Sequence, residues 1–317
     1  MGHLDTAPAV LTTRAAAATG RSGLLRDGTY RRVAPGLHLV ASADPDDPDV
    51  RVALASAALP PGTTLGGWAA ARQHERRRAP RRDHLQIDGF TGIPPRPAPV
   101  LVLADPATRL VERPFRRVLR SRVAATEREV VDGLPVTSPL RTAFDIGRLD
   151  GLREAVAAVD RLRALGLVDP SELVRLIDEH AHWPGARRAR RVLAFSSERV
   201  ESAQESAMRV LWCEAGLPRP VSNPTIVDLD GAFVARVDVL DPDAGLVGEY
   251  DGAVHASARR RSTDAARQER LEQLGLVVIR ATAVDLASEP ARAAWCARLR
   301  HARARARTSH HRAWRYR

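Results

Sequence analysis

The stretch TIVDLDGAFVARVDVLDPDAGLVGEYDG, residues 225–252, decides how the last third of the chain folds. Asp230-Gly231 is a strong two-residue turn signal between β-branched apolar runs at Thr225–Leu229 and Phe233–Leu240. Asp241-Pro242 punctuates again, and a third run follows at Leu246–Asp251. Three consecutive strands are expected. Upstream, Glu201 to Ala215 places Ala203, Ala207, Val210 and Leu211 at helical core spacing and stops at Gly216 and Pro218. Downstream, Asp264 to Leu274 reads as a helix ended by Gly275, and Leu276–Arg280 as a buried strand. The expected order is α-β-β-β-α-β.

Strand periodicity then distributes the acidic residues. Arg236, Asp238 and Leu240 share one face of the second strand, while Phe233, Val237 and Val239 suit the other. Glu249 and Asp251 on the third strand point to one side, and Gly252 follows, which lets backbone or ligand come close. If the strands are neighbours, three carboxylates converge. Such groups repel, and burying them unpaired is costly, so a cation or protons must neutralise them. A magnesium-like ion is the simplest resolution, because it takes oxygen ligands, keeps several waters and is completed by substrate phosphate. The alternative is that Asp238 and Glu249 pair with Arg236, Arg280 or another arginine.

An ordered set of motifs goes further: Glu205 in a helix, Ala215–Pro220 (AGLPRP), Arg236–Asp238, Gly248–His255 (GEYDGAVH), Asp264 with Arg267, and Gly275–Arg280 (GLVVIR). This run of about ninety residues resembles the PD-(D/E)XK nuclease superfamily. Within it, the chain is similar to uncharacterised actinobacterial relatives of the very-short-patch-repair (Vsr-like) endonucleases. The resemblance implies a restriction-endonuclease-like α/β domain that cleaves DNA phosphodiester bonds with Mg2+ or Mn2+. Glu205 would be the helix-borne acid, Asp238 and Glu249 the metal ligands, and His255 a proton-transfer group. One departure stands out. The lysine usual two residues after the glutamate is replaced by Asp251, and the chain contains no lysine at all. Asp251 is accordingly expected as a third metal ligand or supporting acid. Arg259, Arg260, Arg267 and Arg236 could hold nucleic acid but not act as a base, since guanidinium stays protonated.

The rest of the chain sets the context. All 49 basic residues are arginine against 38 acids, for a formal charge of +11, which attracts polyanions. With 44% hydrophobic residues and only 4% aromatics, a helix-rich α/β protein is expected rather than a large β-sandwich. Two distant cysteines, Cys213 and Cys296, exclude a disulfide framework or a Cys-rich zinc site. No signal peptide or membrane span is read, so a cytoplasmic protein with no membrane partner is expected. Residues 1–43 outline a winged-helix-like unit. Thr12 or Thr13 caps a helix at Ala15–Ala18, a short recognition segment lies at Ser22–Asp27, and the wing Tyr30–Val40 presents Arg31 and Arg32 to DNA.

Residues 50–195 read as a mixed α/β middle region, with helices at Val50–Ala58, Ala143–Leu165 and Ser171–His180 and a strand at Val100–Leu103. Residues 197–300 form the nuclease-like domain, and 301–317 an arginine-rich tail expected to be frayed or disordered. The N-terminal unit and Pro135–Asp145 (PVTSPLRTAFD) resemble AbiEi-type antitoxins. That resemblance implies the alternative function, a non-catalytic DNA-binding regulator or antitoxin with a toxin partner, and a homodimer is compatible with either reading.

Overall fold

The computed structural model describes residues 8–79, 85–92, 94–252, 258–308 and 311–317, the side chains at 258–263 lying outside that description. The architecture is mixed α/β with several small sheets. Two compact units divide the chain, 1–145 and 146–317. Among the described residues no helix is long and apolar enough to cross a membrane.

The first unit opens with β1 (Val10–Thr12), α1 (Thr13–Ala18), a 3-10 turn (Ser22–Leu25), β2 (Tyr30–Ala34) and β3 (Leu37–Val40), the strands forming an antiparallel sheet in the order β1-β3-β2. Thr12 caps α1, its hydroxyl accepting from the Ala15 N–H at 2.9 Å. Leu11, Ala16 and Tyr30 make its small core, and Arg31 and Arg32 are exposed on the edge strand β2. The segment expected to read a groove is a single 3-10 turn, too short to lay several side chains along DNA.

Next come α2 (Pro48–Ser56), β4 (Thr64–Gly66), α3 (Gly67–Arg78), the short pair β5 (Phe90–Thr91) and β6 (Arg96–Pro97), β7 (Val100–Ala104), β8 (Arg116–Arg120), β9 (Arg128–Val131) and β10 (Leu134–Thr137). Five of these strands make a mixed sheet in the order β8-β7-β4-β10-β9. The β9–β10 hairpin turns at Asp132-Gly133, both with positive φ, as a two-residue hairpin turn matched to strand twist requires. Helix α3 is buried from Gly67 to Glu75 although it is polar, and several of its buried groups find partners. The His74 ring meets the Thr137 carbonyl at 2.7 Å, and the Glu75 carboxylate accepts from the Gln86 and Ile87 N–H groups.

Helix α4 (Pro139–Leu149) crosses the division, and the second unit continues with α5 (Leu152–Ala164), α6 (Pro170–Glu179), α7 (Ala186–Phe195) and α8 (Ala203–Glu214). The single helix expected over Ala143–Leu165 is two, because Asp150-Gly151 interrupts it and Gly151 serves as the N-cap of α5. Then follow β11 (Val221–Ser222), β12 (Thr225–Asp228), β13 (Phe233–Arg236), β14 (Val239–Asp241), β15 (Leu246–Asp251), α9 (Ala258–Gln273), β16 (Val277–Thr282), α10 (Ala283–Leu286), α11 (Glu289–Thr308) and β17 (Trp314–Tyr316).

A four-stranded sheet runs β11-β14-β15-β16, antiparallel up to β15 and parallel between β15 and β16, with α9 as the crossover that a parallel pair needs. Its faces are distinct. Leu246 packs with Met208, Trp212, Trp295 and Leu299 of α8 and α11, whereas Val247 packs with Leu271 of α9 and Trp314 of β17.

The arginine-rich end corrects the expectation of a frayed tail. Trp295, Leu299, Ala302 and Ala306 recur at helical spacing and are buried, which seats α11 on the sheet as far as Thr308. Its arginines leave the buried stripe, Arg303 pairing with the buried Asp241 at 2.8 Å, and beyond the helix Arg312 donates to the Pro242 carbonyl at 2.7 Å. The last strand, β17, pairs with β12.

Candidate functional site

The run expected as one strand, Phe233–Leu240, breaks at Val237-Asp238. β13 belongs to a sheet ordered β13-β12-β17, and β14 to the four-stranded sheet, so the chain changes sheets at Asp238. Backbone bonds clamp this bend. The Val237 N–H donates to the Pro224 carbonyl at 3.2 Å, and the Asn223 N–H to the Asp238 carbonyl at 2.8 Å. Asn223 itself has a positive φ of 48°, which asparagine tolerates better than most residues. Pairing between β14 and β15 ends at Val239 opposite Gly248, so Tyr250 lies past the ladder. Its N–H donates to Asp238 Oδ2 at 2.7 Å, the side chain continuing the hydrogen bonding that the strand abandons.

Glu205 lies in the first turn of α8 within a reciprocal cap: the Glu205 N–H donates to the Ser202 hydroxyl at 3.2 Å, and that hydroxyl donates to Glu205 Oε1 at 2.9 Å. Its other oxygen accepts from the Asn223 side-chain amide at 3.0 Å. Asn223 therefore ties the start of α8 to the Asp238 bend. Glu249 is 8% exposed on β15, opposite Arg280 in the parallel register with β16. Arg267 of α9 reaches Glu249 Oε1 at 2.7 Å and also the Arg236 carbonyl at 2.5 Å, while Arg280 stands 3.9 Å from Oε2.

Burial, helped by the nearby Glu205 and Glu249 carboxylates and opposed by the Tyr250 N–H and Arg267, pushes the Asp238 carboxyl up to about 6. A second buried aspartate in the same unit makes a useful contrast. Asp160 is held by a salt bridge to Arg209 and by donors from the Ser206 hydroxyl and Ser197 N–H, as a structural carboxylate is. Among the described residues, no arginine forms a salt bridge with Asp238, which accepts instead from the backbone N–H of Tyr250. The junction carries surplus negative potential and suits a proton or a cation.

The other expected site residues distribute unevenly. Asp251 is exposed at the end of β15, where its charge adds to the burial that raises the Tyr250 phenol. Arg236 is exposed and pairs with Glu201 at 2.7 Å. Arg31 and Arg32 are exposed in the first unit. His255 lies outside the described residues, as do the side chains of Arg259 and Arg260. Among the described residues no three His, Cys, Asp or Glu side chains are grouped closely enough to hold a metal ion. Sequence reasoning overlooked Asn223 and the Tyr250 N–H; the dipeptide Asn223-Pro224 was the available turn signal.

No family model matches the chain. Over 193 residues it is 30% identical to the uncharacterised protein Rv2248 of Mycobacterium tuberculosis strain H37Rv, covering 61% of this chain and 70% of that protein. The same figures hold for the uncharacterised protein MT2308 of strain CDC 1551 / Oshkosh. Among solved structures, the crystal structure of the RV2827C protein from Mycobacterium tuberculosis aligns at a TM-score of 0.37 with 16% identity, covering 68% of this chain and 78% of that one.

Proposed function

The chain belongs to the family of the mycobacterial proteins Rv2248 and MT2308, and we propose that its C-terminal unit holds a divalent cation at Asp238 and Glu249 and acts there on a nucleic-acid phosphodiester bond. One observation carries this reading: Asp238 occupies a clamped bend beside two further carboxylates, with no arginine in a salt bridge to it among the described residues. A donor set of carboxylate oxygens suits Mg2+ or Mn2+. Asp238 and Glu249 would hold the ion, with Glu205 beside them and Asp251 at the strand end as a supporting acid. When bound, such an ion offers Lewis-acid stabilisation of phosphate charge and a more acidic water. The order α8, β11–β15, α9, β16, parallel at its last step, supports a restriction-endonuclease-like reading of the unit.

The chain's own residues have definable parts. The Tyr250 N–H fixes Asp238 Oδ2 and so orients the carboxylate. Arg267 neutralises Glu249 at 2.7 Å in the absence of other cations, and its guanidinium is a natural phosphate clamp once that pair opens. Arg267 cannot serve as the general base, and the position where the superfamily carries lysine holds Asp251. The same Arg267–Glu249 pair favours the second reading, a DNA-binding regulator that has kept the shape of the site without its chemistry.

The two readings separate in one set of measurements. Calorimetric titration with Mg2+ and Mn2+ should show uptake by the unaltered protein and none by Asp238→Ala. Plasmid, single-stranded DNA and RNA substrates should be cut in a metal-dependent way that Asp238→Ala and Glu249→Ala abolish. No uptake together with no cleavage of any substrate overturns the nuclease reading and leaves the regulator.

A further inference from the structure

Strand β16 is the outer strand of the four-stranded sheet, and α11 packs against it. Between them lies a groove of about 450 Å3, floored by Val278 and Ile279 and rimmed on the α11 side by Arg298, His301 and Arg305. The three rim residues fall at intervals of three and four along the helix, so they share one face. Their number is not an accident of a basic helix, because the other α11 arginines are engaged or face elsewhere. Arg292 donates to the Leu286 carbonyl, Arg300 to the Ala215 carbonyl and Arg303 to Asp241. Arg307 is two positions beyond Arg305 and therefore roughly 200° round the helix. Within the rim, Arg298 is held by Asp285 at 2.6 Å, which keeps its guanidinium in place. For His301 and Arg305, both exposed, no salt bridge is recorded among the described residues.

An apolar floor rimmed by two guanidinium groups and an imidazole matches a sugar-phosphate strand, whose deoxyribose faces are apolar and whose phosphates are charged. The rim from Arg298 to Arg305 extends about 10 Å, the rise of about three nucleotides of duplex strand. We propose that this groove is a phosphate-backbone binding site that tracks one strand of nucleic acid. The proposal rests on the nucleic-acid reading of the protein but not on its metal chemistry. It also gives the +11 charge of the chain one located outlet in the second unit.

The test uses the full chain, a fluorescein-labelled DNA duplex of arbitrary sequence, EDTA to silence the cation site, and anisotropy titrations across a range of salt. The double variant H301Q/R305Q and the single variant R305Q should weaken binding. Each lost phosphate contact should lower the steepness of log K against log salt by about 0.9. R307Q removes the same charge from the same helix and should leave both affinity and slope unchanged. EDTA throughout keeps the cation site empty, which separates this proposal from the metal reading. Equal weakening by R305Q and R307Q would reduce the groove to bulk charge and overturn the proposal. So would unchanged binding by H301Q/R305Q, or no DNA binding by the unaltered chain, even if metal-dependent cleavage were found. Matching thermal melts for the variants exclude a folding defect.

Discussion

Asp238→Asn should make the protein more stable and less capable. The native carboxyl titrates near 6 against an ordinary value of 3.8, roughly two units of disfavoured charge. At about 1.4 kcal/mol per unit the ceiling is about 3 kcal/mol, and solvent reaching the half-buried side chain reduces this to about 1–2 kcal/mol. The sign follows from a raised folded-state value. The contribution is fully present below about pH 4 and is lost as pH rises through about 6, where the folded state must give up its proton later than the unfolded chain.

Asparagine keeps an oxygen for the Tyr250 N–H and removes the charge. In EDTA at about pH 8 its melting temperature should therefore exceed that of the unaltered protein by about 2–8 °C, and the two should converge near pH 4. Adding Mg2+ should raise the melting temperature of the unaltered chain but not of the variant, since binding stabilises only a state with a site. If Asp238→Asn is no more stable at about pH 8, the carboxylate is compensated in the fold and the argument for a cation collapses.

Three further perturbations probe the frame around the site. Arg209→Met leaves Asp160 buried without its cation and should cost about 3–5 kcal/mol in urea unfolding; a loss below about 1 kcal/mol would mean that the surroundings already tolerate the carboxyl. Trp314→Ala empties the seat of the last strand against Ile226 and Val247 and should cost about 3–5 kcal/mol, whereas a loss near zero would return the C-terminal residues to the status of a tail. Arg267→Gln strips Glu249 of its 2.7 Å partner and should cost about 1–3 kcal/mol, partly recovered by Mg2+; recovery by NaCl at equal ionic strength would point to screening rather than a bound ion.

The elements near the site were legible because they obey local rules. Asp230-Gly231 fixed a hairpin, and the third strand runs from Leu246 to Asp251 as the β-branched pattern required. What local rules miss is a change of partner. Nothing in the alternation of Phe233–Leu240 says that β13 and β14 join different sheets, so Asp238 reads as a strand residue when it is a bend. The period-two argument placed Glu249 and Asp251 together, yet only Glu249 is buried, Asp251 lying exposed at the strand end. The arginine-rich end was misjudged for a related reason: eight arginines mask a stripe of Trp295, Leu299, Ala302 and Ala306 that is apolar only when counted at helical spacing. Arg236 and Arg280 could be named as partners for Glu249, but not Arg267, which reaches it at 2.7 Å, since that choice depends on the crossover geometry of α9.

The pairing of β17 with β12 has a kinetic consequence. Ile226 and Tyr316 are about ninety residues apart, with a helix crossover, an edge strand and a long helix between them. Closing so long a loop before the intervening sheet exists carries an entropic penalty that grows with the logarithm of its length, and only one three-residue strand repays it. The last strand therefore docks after the rate-limiting barrier, onto a surface already assembled from β12, β15 and α9. Stability gained there should be expressed as slower unfolding, leaving the refolding rate of Trp314→Ala close to that of the unaltered chain while its unfolding limb rises.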